Sequence, residues 1–170
     1  LIDFLFSRLE PLKRKYHIYV ATTQNKLDDE LVNLCAKRQI SYFRGSEEDV
    51  LKRYFQLSTK SELDIIVRLN ADSPFIDADF VEDKIQKFLN CVDNFDYGST
   101  IIEPSYPIGM HVEIMKYDAL TRAHFQCNDM SLREHVTPYI YQNPKIFKLM
   151  SFRNENDLSS MRLTIDYKED

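Results

Sequence analysis

A chain of 170 residues can build one domain with a real core and is short for two. It carries 22 Lys and Arg against 27 Asp and Glu, a net charge of −5. That argues against a general nucleic-acid binder, which needs a basic face, but leaves room for a small phosphorylated ligand held by a few local charges. At 44% hydrophobic and 29% charged residues the chain is globular rather than disordered.

Leu1, Ile2, Leu5, Phe6, Leu9 and Leu12 recur at helical spacing and end in a basic exit at Lys13-Arg14-Lys15. Tyr16 to Thr22 reads as a strand around the apolar run Ile18-Tyr19-Val20-Ala21. The next helix shows Leu27, Leu31, Leu34 and Cys35 on one face, with Asp28, Asp29 and Glu30 complementing its dipole in the first turn. Ser41 to Arg44 is a short strand, and Ser46-Glu47-Glu48-Asp49 resembles a capping box that opens a helix through Val50, Leu51, Tyr54 and Phe55. Asp64 to Leu69 is a second apolar strand. Asp77 starts a helix with Phe80, Val81, Ile85, Phe88 and Leu89 inward. Strands alternating with helices predict a mostly parallel sheet covered by helices.

In the second half, Tyr97 to Ile102 and Met110 to Met115 read as strands joined by a proline-rich connection. A helix is expected near Asp118 to Phe125. Another follows a second capping box at Ser131-Leu132-Arg133-Glu134, kinked by Pro138. Phe147 to Phe152 and Met161 to Ile165 are expected as late strands. Tyr139, Tyr141 and Phe147 suit either a core or an interface.

Neither G-x-G-x-x-G nor a P-loop can be built from Gly45, Gly98 and Gly109. Cys35, Cys91 and Cys127 are odd in number and lack a C-x-x-C pair. They point away from a disulfide framework or thiolate zinc site and toward a reduced, cytoplasmic compartment. No apolar run approaches the roughly 18 residues of a membrane span, and no signal peptide is visible. The expectation is one domain over 1–170, an internal piece of a longer protein.

Ligands of open α/β sheets gather beyond the carboxyl ends of the strands. Two such exits are informative: Ala21-Thr22-Thr23-Gln24-Asn25, and Arg68-Leu69-Asn70-Ala71-Asp72-Ser73-Pro74. Asp72 suits a hard cation such as Mg²⁺, or it simply caps a turn. Asp166, ending Thr164-Ile165-Asp166, is a candidate second carboxylate, or a surface turn. His111 and Glu113 alternate with Val112 and Ile114 and so share the polar face of their strand. His135 after Glu134 could bind an anion or fill a polar edge. His17 and His124 suggest no chemistry, and no arrangement for nucleophilic catalysis stands out.

Six strings occur in order: Ala21-Thr22-Thr23, Phe43-Arg44-Gly45-Ser46-Glu47-Glu48-Asp49-Val50-Leu51-Lys52-Arg53-Tyr54, Val67-Arg68-Leu69-Asn70-Ala71-Asp72-Ser73-Pro74, Tyr106-Pro107-Ile108-Gly109, Arg133-Glu134-His135-Val136-Thr137-Pro138-Tyr139 and Arg162-Leu163-Thr164-Ile165-Asp166. Together they resemble the cytidylyltransferases of the acylneuraminate (CMP-sialic acid synthetase) superfamily, in particular the SpsF-like branch of spore-coat polysaccharide biosynthesis. The resemblance implies a nucleotide-diphospho-sugar transferase-like, Rossmann-like α/β fold of three layers, with a mixed, mostly parallel sheet. It also implies transfer of CMP from CTP to a sugar acid or related sugar, with release of pyrophosphate.

By the same resemblance Asp72 and Asp166 hold Mg²⁺. Ala21, Thr22, Thr23, Arg44, Ser46, Arg68, Asn70, Ala71 and Asp72 belong to the nucleotide side, and His111, Glu113, Glu134 and His135 face the acceptor. A homodimer fits the superfamily. The family's basic phosphate-binding loop would precede Leu1, and Tyr167-Lys168 replaces a more usual small residue and proline. Two other classes stay open on the residues alone: a metal-dependent glycosyltransferase of related fold, and a non-catalytic partner-binding module.

Overall fold

A computed structural model describes residues 1–165. It divides into two compact units, one built from Leu1–Lys15, Val67–Met115 and the chain from Lys148, the other from Tyr16–Ile66 and Lys116–Phe147. Among the described residues no helix is long and apolar enough to cross a membrane. Cys35 and Cys127 are buried free thiols and Cys91 is a half-buried one.

The first unit starts with helix α1 (Ile2–Leu9), whose Leu5, Phe6 and Leu9 are buried at the spacing of one helical face. Arg8 leaves that face and donates to the carbonyls of Ile76 and Phe75 and to the Asp77 carboxylate. Asp77 in turn caps helix α4 (Ala78–Leu89) by accepting from the Phe80 N–H at 2.8 Å. Helix α4 buries Val81, Ile85 and Phe88, each burial stabilising by about 1.5–3 kcal/mol.

Leu89, expected inward, is exposed, whereas Lys84 is buried. Its ammonium lies 4.2 Å from the Phe80 ring centre and 2.7 Å from Asp83, so the charge stays paired.

Four strands form a sheet in the order β3 (Ile65–Arg68), β5 (Glu113–Lys116), β4 (Tyr97–Ser99) and β6 (Leu149–Ser151). The β4–β5 pair is antiparallel, Gly98 opposite Ile114, and β4–β6 is parallel, Gly98 opposite Met150. Gly98 is required by close packing: a Cβ there would lie 2.8 Å from Phe152 and 2.9 Å from Phe88.

The strands β4 and β5 are shorter than the apolar runs predict because a side chain interrupts the ladder. The Thr100 hydroxyl donates to the Met110 carbonyl and accepts the Val112 N–H, replacing a backbone rung. Met161 to Ile165 is likewise not a strand. It makes a single parallel bridge, Ile108 to Arg162.

The second unit contains a parallel pair, β1 (Tyr19–Thr23) and β2 (Ser41–Gly45), with Tyr19 opposite Ser41 and Thr23 opposite Gly45. Strand β1 begins at Tyr19 rather than Tyr16. Its helices are α2 (Asp29–Lys37), α3 (Val50–Lys60), α5 (Tyr117–Gln126), α6 (Met130–Glu134) and α7 (Pro138–Tyr141). Their core includes Cys35, Leu51, Leu120, Ala123, Val136, Ile140 and Phe147.

Leu27 is 85% exposed, because Lys26–Asp28 is a 3-10 turn that swings it off the face of α2. Pro138 opens α7 at its first position, where the missing N–H costs nothing, instead of kinking a longer helix. Asp129, not Ser131, caps α6. The α/β class with helix-flanked sheets agrees with the sequence reading.

Candidate active site

The exit of β1 is closed by a carboxylate that sequence reasoning assigned only to a helix dipole. One oxygen of Asp28 accepts the Thr22 hydroxyl at 2.7 Å, the Thr23 hydroxyl at 2.5 Å and the Thr23 N–H at 2.9 Å. The Thr23 and Thr22 hydroxyls and the Thr23 N–H hold the Asp28 pKa below the usual carboxylate range. Arg44, at the end of β2, donates to the Thr23 carbonyl at 2.7 Å, the Asn25 carbonyl at 2.6 Å and Asp29 at 2.7 Å.

Thr22, Thr23 and Arg44 are therefore brought together, with side chains engaged in shaping the loop rather than held open. Ala21 stands on the same strand opposite Phe43. A hydroxyl pair followed by an Asp at a helix start was the available signal.

Beyond β2, the Ser46 hydroxyl accepts the Asp49 N–H at 3.0 Å, as the capping-box reading requires. The helix itself nevertheless begins at Val50, with Asp49 as its cap on the Lys52 N–H. The Ser46 carbonyl accepts from Arg53 at 2.9 Å. Glu134 and His135 are exposed at a corner between α6 and α7. There Thr137 N–H donates to the His135 carbonyl at 2.9 Å across Val136, whose φ is +71°. This γ-turn with positive φ is a strained geometry for a β-branched residue.

In the other unit, six more of the expected residues lie at and beside the exit of β3: Arg68, Asn70, Ala71, Asp72, His111 and Glu113. Arg68 donates to one oxygen of Glu113, and the Tyr97 hydroxyl donates to the other at 2.7 Å. Glu113 is 2% exposed, so its strand face is not solvated as the alternation predicts. The carboxylate is buried because an arginine and a tyrosine satisfy it. Tyr97 is the partner the sequence did not announce.

Asn70, Ala71 and Asp72 form a turn closed by Ser73 N–H on the Asn70 carbonyl at 3.4 Å. The Asp72 side chain is exposed, and its Oδ1 accepts the Ser73 hydroxyl at 3.1 Å. His111 is half-buried. Burial lowers its pKa, while the charges of Glu113 and Asp72 act in the opposite direction.

The Asp72 carbonyl also accepts the N–H of Ile165 at 3.2 Å. Gly109 helps seat that segment. Its φ is +98°, and a Cβ on it would fall 2.8 Å from the Leu163 carbonyl carbon. Asp166 lies outside the described residues. Among those described, no cluster of three or more His, Cys, Asp or Glu side chains forms a metal cage. An exposed carboxylate that leaves most coordination positions to phosphates and water is still the donor type Mg²⁺ takes.

Known proteins are similar to this chain in sequence and in shape. The spore coat polysaccharide biosynthesis protein SpsF of Bacillus subtilis is 31% identical over 179 residues, spanning all of this chain and 72% of its own length. An uncharacterised protein of Methanocaldococcus jannaschii is 37% identical over 172 residues, covering all of this chain and 69% of its own length. The structure of a cytidylyltransferase from Leptospira borgpetersenii superposes with a TM-score of 0.95 at 32% identity, covering 99% of this chain and 71% of that one.

A CMP:2-keto-3-deoxy-manno-octonic acid synthetase complexed with CTP shares the fold, at a TM-score of 0.61 and 15% identity over 90% of this chain and 78% of its own. The sequence profile of the cytidylyltransferases matches residues 1–170, end to end. On that match and these likenesses, the chain belongs to the cytidylyltransferase family.

Proposed function

We propose that the protein transfers CMP from CTP to a sugar acid or related sugar, with Mg²⁺ as the counter-charge, in the synthesis of surface polysaccharide or glycoconjugate. The single observation that carries the metal reading is the bond from Ile165 N–H to the Asp72 carbonyl. It ties the residue before Asp166 to the turn that exposes the Asp72 carboxylate. The relative active in spore coat polysaccharide biosynthesis and the neighbour complexed with CTP support the substrate classes.

In this reading Asp72 and Asp166 would hold the ion, which supplies positive charge where the α-phosphorus is attacked and pyrophosphate leaves. Ala21, Thr22, Thr23, Arg44 and Ser46 form the nucleotide wall, its shape fixed by Asp28. Asn70 and Ala71 present the turn backbone. Glu113 acts through Arg68, which it orients, and His111, Glu134 and His135 face the acceptor.

The test is pyrophosphate release by the intact protein with Mg²⁺ and each of CTP, UTP and ATP, over a panel of sugars and sugar acids. CTP-selective release that EDTA abolishes is expected. Thermal protection by UDP-sugars but not by CTP would contradict the reading and favour a glycosyltransferase.

A further inference from the structure

Arg133 occupies a position the proposed reaction does not use. It is buried on α6, immediately before the exposed Glu134–His135 corner. A guanidinium has five N–H donors, and each of them is placed. Nε and Nη2 both donate to Asp49 Oδ2, at 3.1 and 2.9 Å. Nη1 donates to the carbonyls of His124 and Cys127, both at 2.8 Å. The remaining Nη2 donor meets His124 Nδ1 at 3.0 Å. Arg133 thus ties its own helix to the cap of α3 and to the last turn of α5.

The last of these contacts is conditional. Arginine can only donate, so Nδ1 has to be the acceptor, and the His124 ring is neutral with its proton on Nε2. The ring is held in place by stacking on Phe55, with centroids 4.2 Å apart, and by Phe125 edge-on at 5.0 Å. The charged groups facing it are Arg133 from α6, Asp49 from the cap of α3, and Lys52 from α3. A proton taken up from solvent at Nδ1 turns the acceptor into a donor and sets two cations against each other.

We infer that Arg133 is the positioning residue of the Glu134–His135 corner, and that His124, by accepting one of its N–H groups, makes that hold depend on pH. The corner is where a loss would register first, because Val136 is already held at a strained φ by its surroundings. Burial, with the Arg133 charge second, lowers the His124 pKa. Protonation therefore occurs below the usual histidine range, and above that range the hold is complete.

The test is amide hydrogen exchange of Arg133, Val136 and Thr137 in the intact protein, followed from pH 7.5 down to pH 4.5 because the His124 pKa is lowered, and corrected for intrinsic exchange rates. Protection is expected to fall about tenfold on acidification in the wild type and not at all in His124→Asn, whose side-chain oxygen accepts from Arg133 without titrating. An equal fall in His124→Asn overturns the inference. So does a ¹⁵N spectrum of the wild type showing Nδ1 protonated at pH 7.5, a readout that does not depend on any variant folding.

The consequence for turnover rests on the proposed function: KM for the sugar rises on acidification in the wild type and stays flat in the variant. If exchange responds as expected while KM does not, the pH-dependent hold stands and the assignment of this corner to the acceptor fails.

Discussion

One carboxylate oxygen at Asp28 accepts three hydrogen bonds, and the loop after β1 depends on it. Asp28→Ala strands the buried Thr22 hydroxyl and is expected to cost about 1–3 kcal/mol in chemical denaturation. Because the folded pKa is depressed, the stabilisation is fully present above the ordinary carboxylate range and is lost as pH falls through the folded value. The acid limb of the wild-type stability profile should therefore be steeper than that of Asp28→Ala.

Glu113 poses a different problem, a buried ion whose partners cannot follow it into water. Glu113→Gln removes the buried negative charge that the half-buried Arg68 and the Tyr97 hydroxyl satisfy, and should cost about 1–3 kcal/mol. Tyr97→Phe, which removes only the hydroxyl, should cost about 1 kcal/mol. Since both act on one carboxylate, the double variant should cost less than the sum of the two, as read by a double-mutant cycle.

Between α6 and α7, element geometry decides more than residue size. Val136 is fully buried yet sits at φ +71°, a region that costs a side chain with a Cβ about 1–2 kcal/mol. Val136→Ala keeps that cost and loses burial; Val136→Gly loses slightly more burial and sheds the cost. Thermal unfolding is expected to show Val136→Gly at least as stable as Val136→Ala, the reverse of the order in a helix.

That corner also shows where a sequence can be read and where it cannot. Asp77 before Ala78, and the alternation of strands with helices, were legible because caps and periodicity are local. The turn carrying Asp72 was legible for the same reason, from Asn, Asp, Ser and Pro at a strand exit. Pro138 was equally visible, but whether it kinks one helix or opens the next depends on Val136 turning the chain first. Leu27 has the right spacing for α2 and is exposed because a 3-10 turn precedes that helix. Lys84 and Glu113 are buried by partners brought from elsewhere in the chain, Tyr106 for one and Arg68 and Tyr97 for the other. No local pattern encodes those meetings.

Across the whole molecule the charge balance bears on mechanism. In the proposed account a nucleoside triphosphate meets these 170 residues of net charge −5, and so calls for a concentrated source of positive charge. Arg44 donates to Asp29 and to two carbonyls, and Arg133 places all five of its donors within the fold. Both are structural clamps. In the proposed account the divalent ion at Asp72 is the counter-charge, acting where negative charge builds during transfer. The most direct measurement is kcat of Asp72→Asn against wild type, as pyrophosphate release with Mg²⁺-CTP and the accepted sugar. The account predicts a loss of about a hundredfold or more, as for removal of one electrostatic contact to the transition state; turnover at the wild-type rate would contradict it.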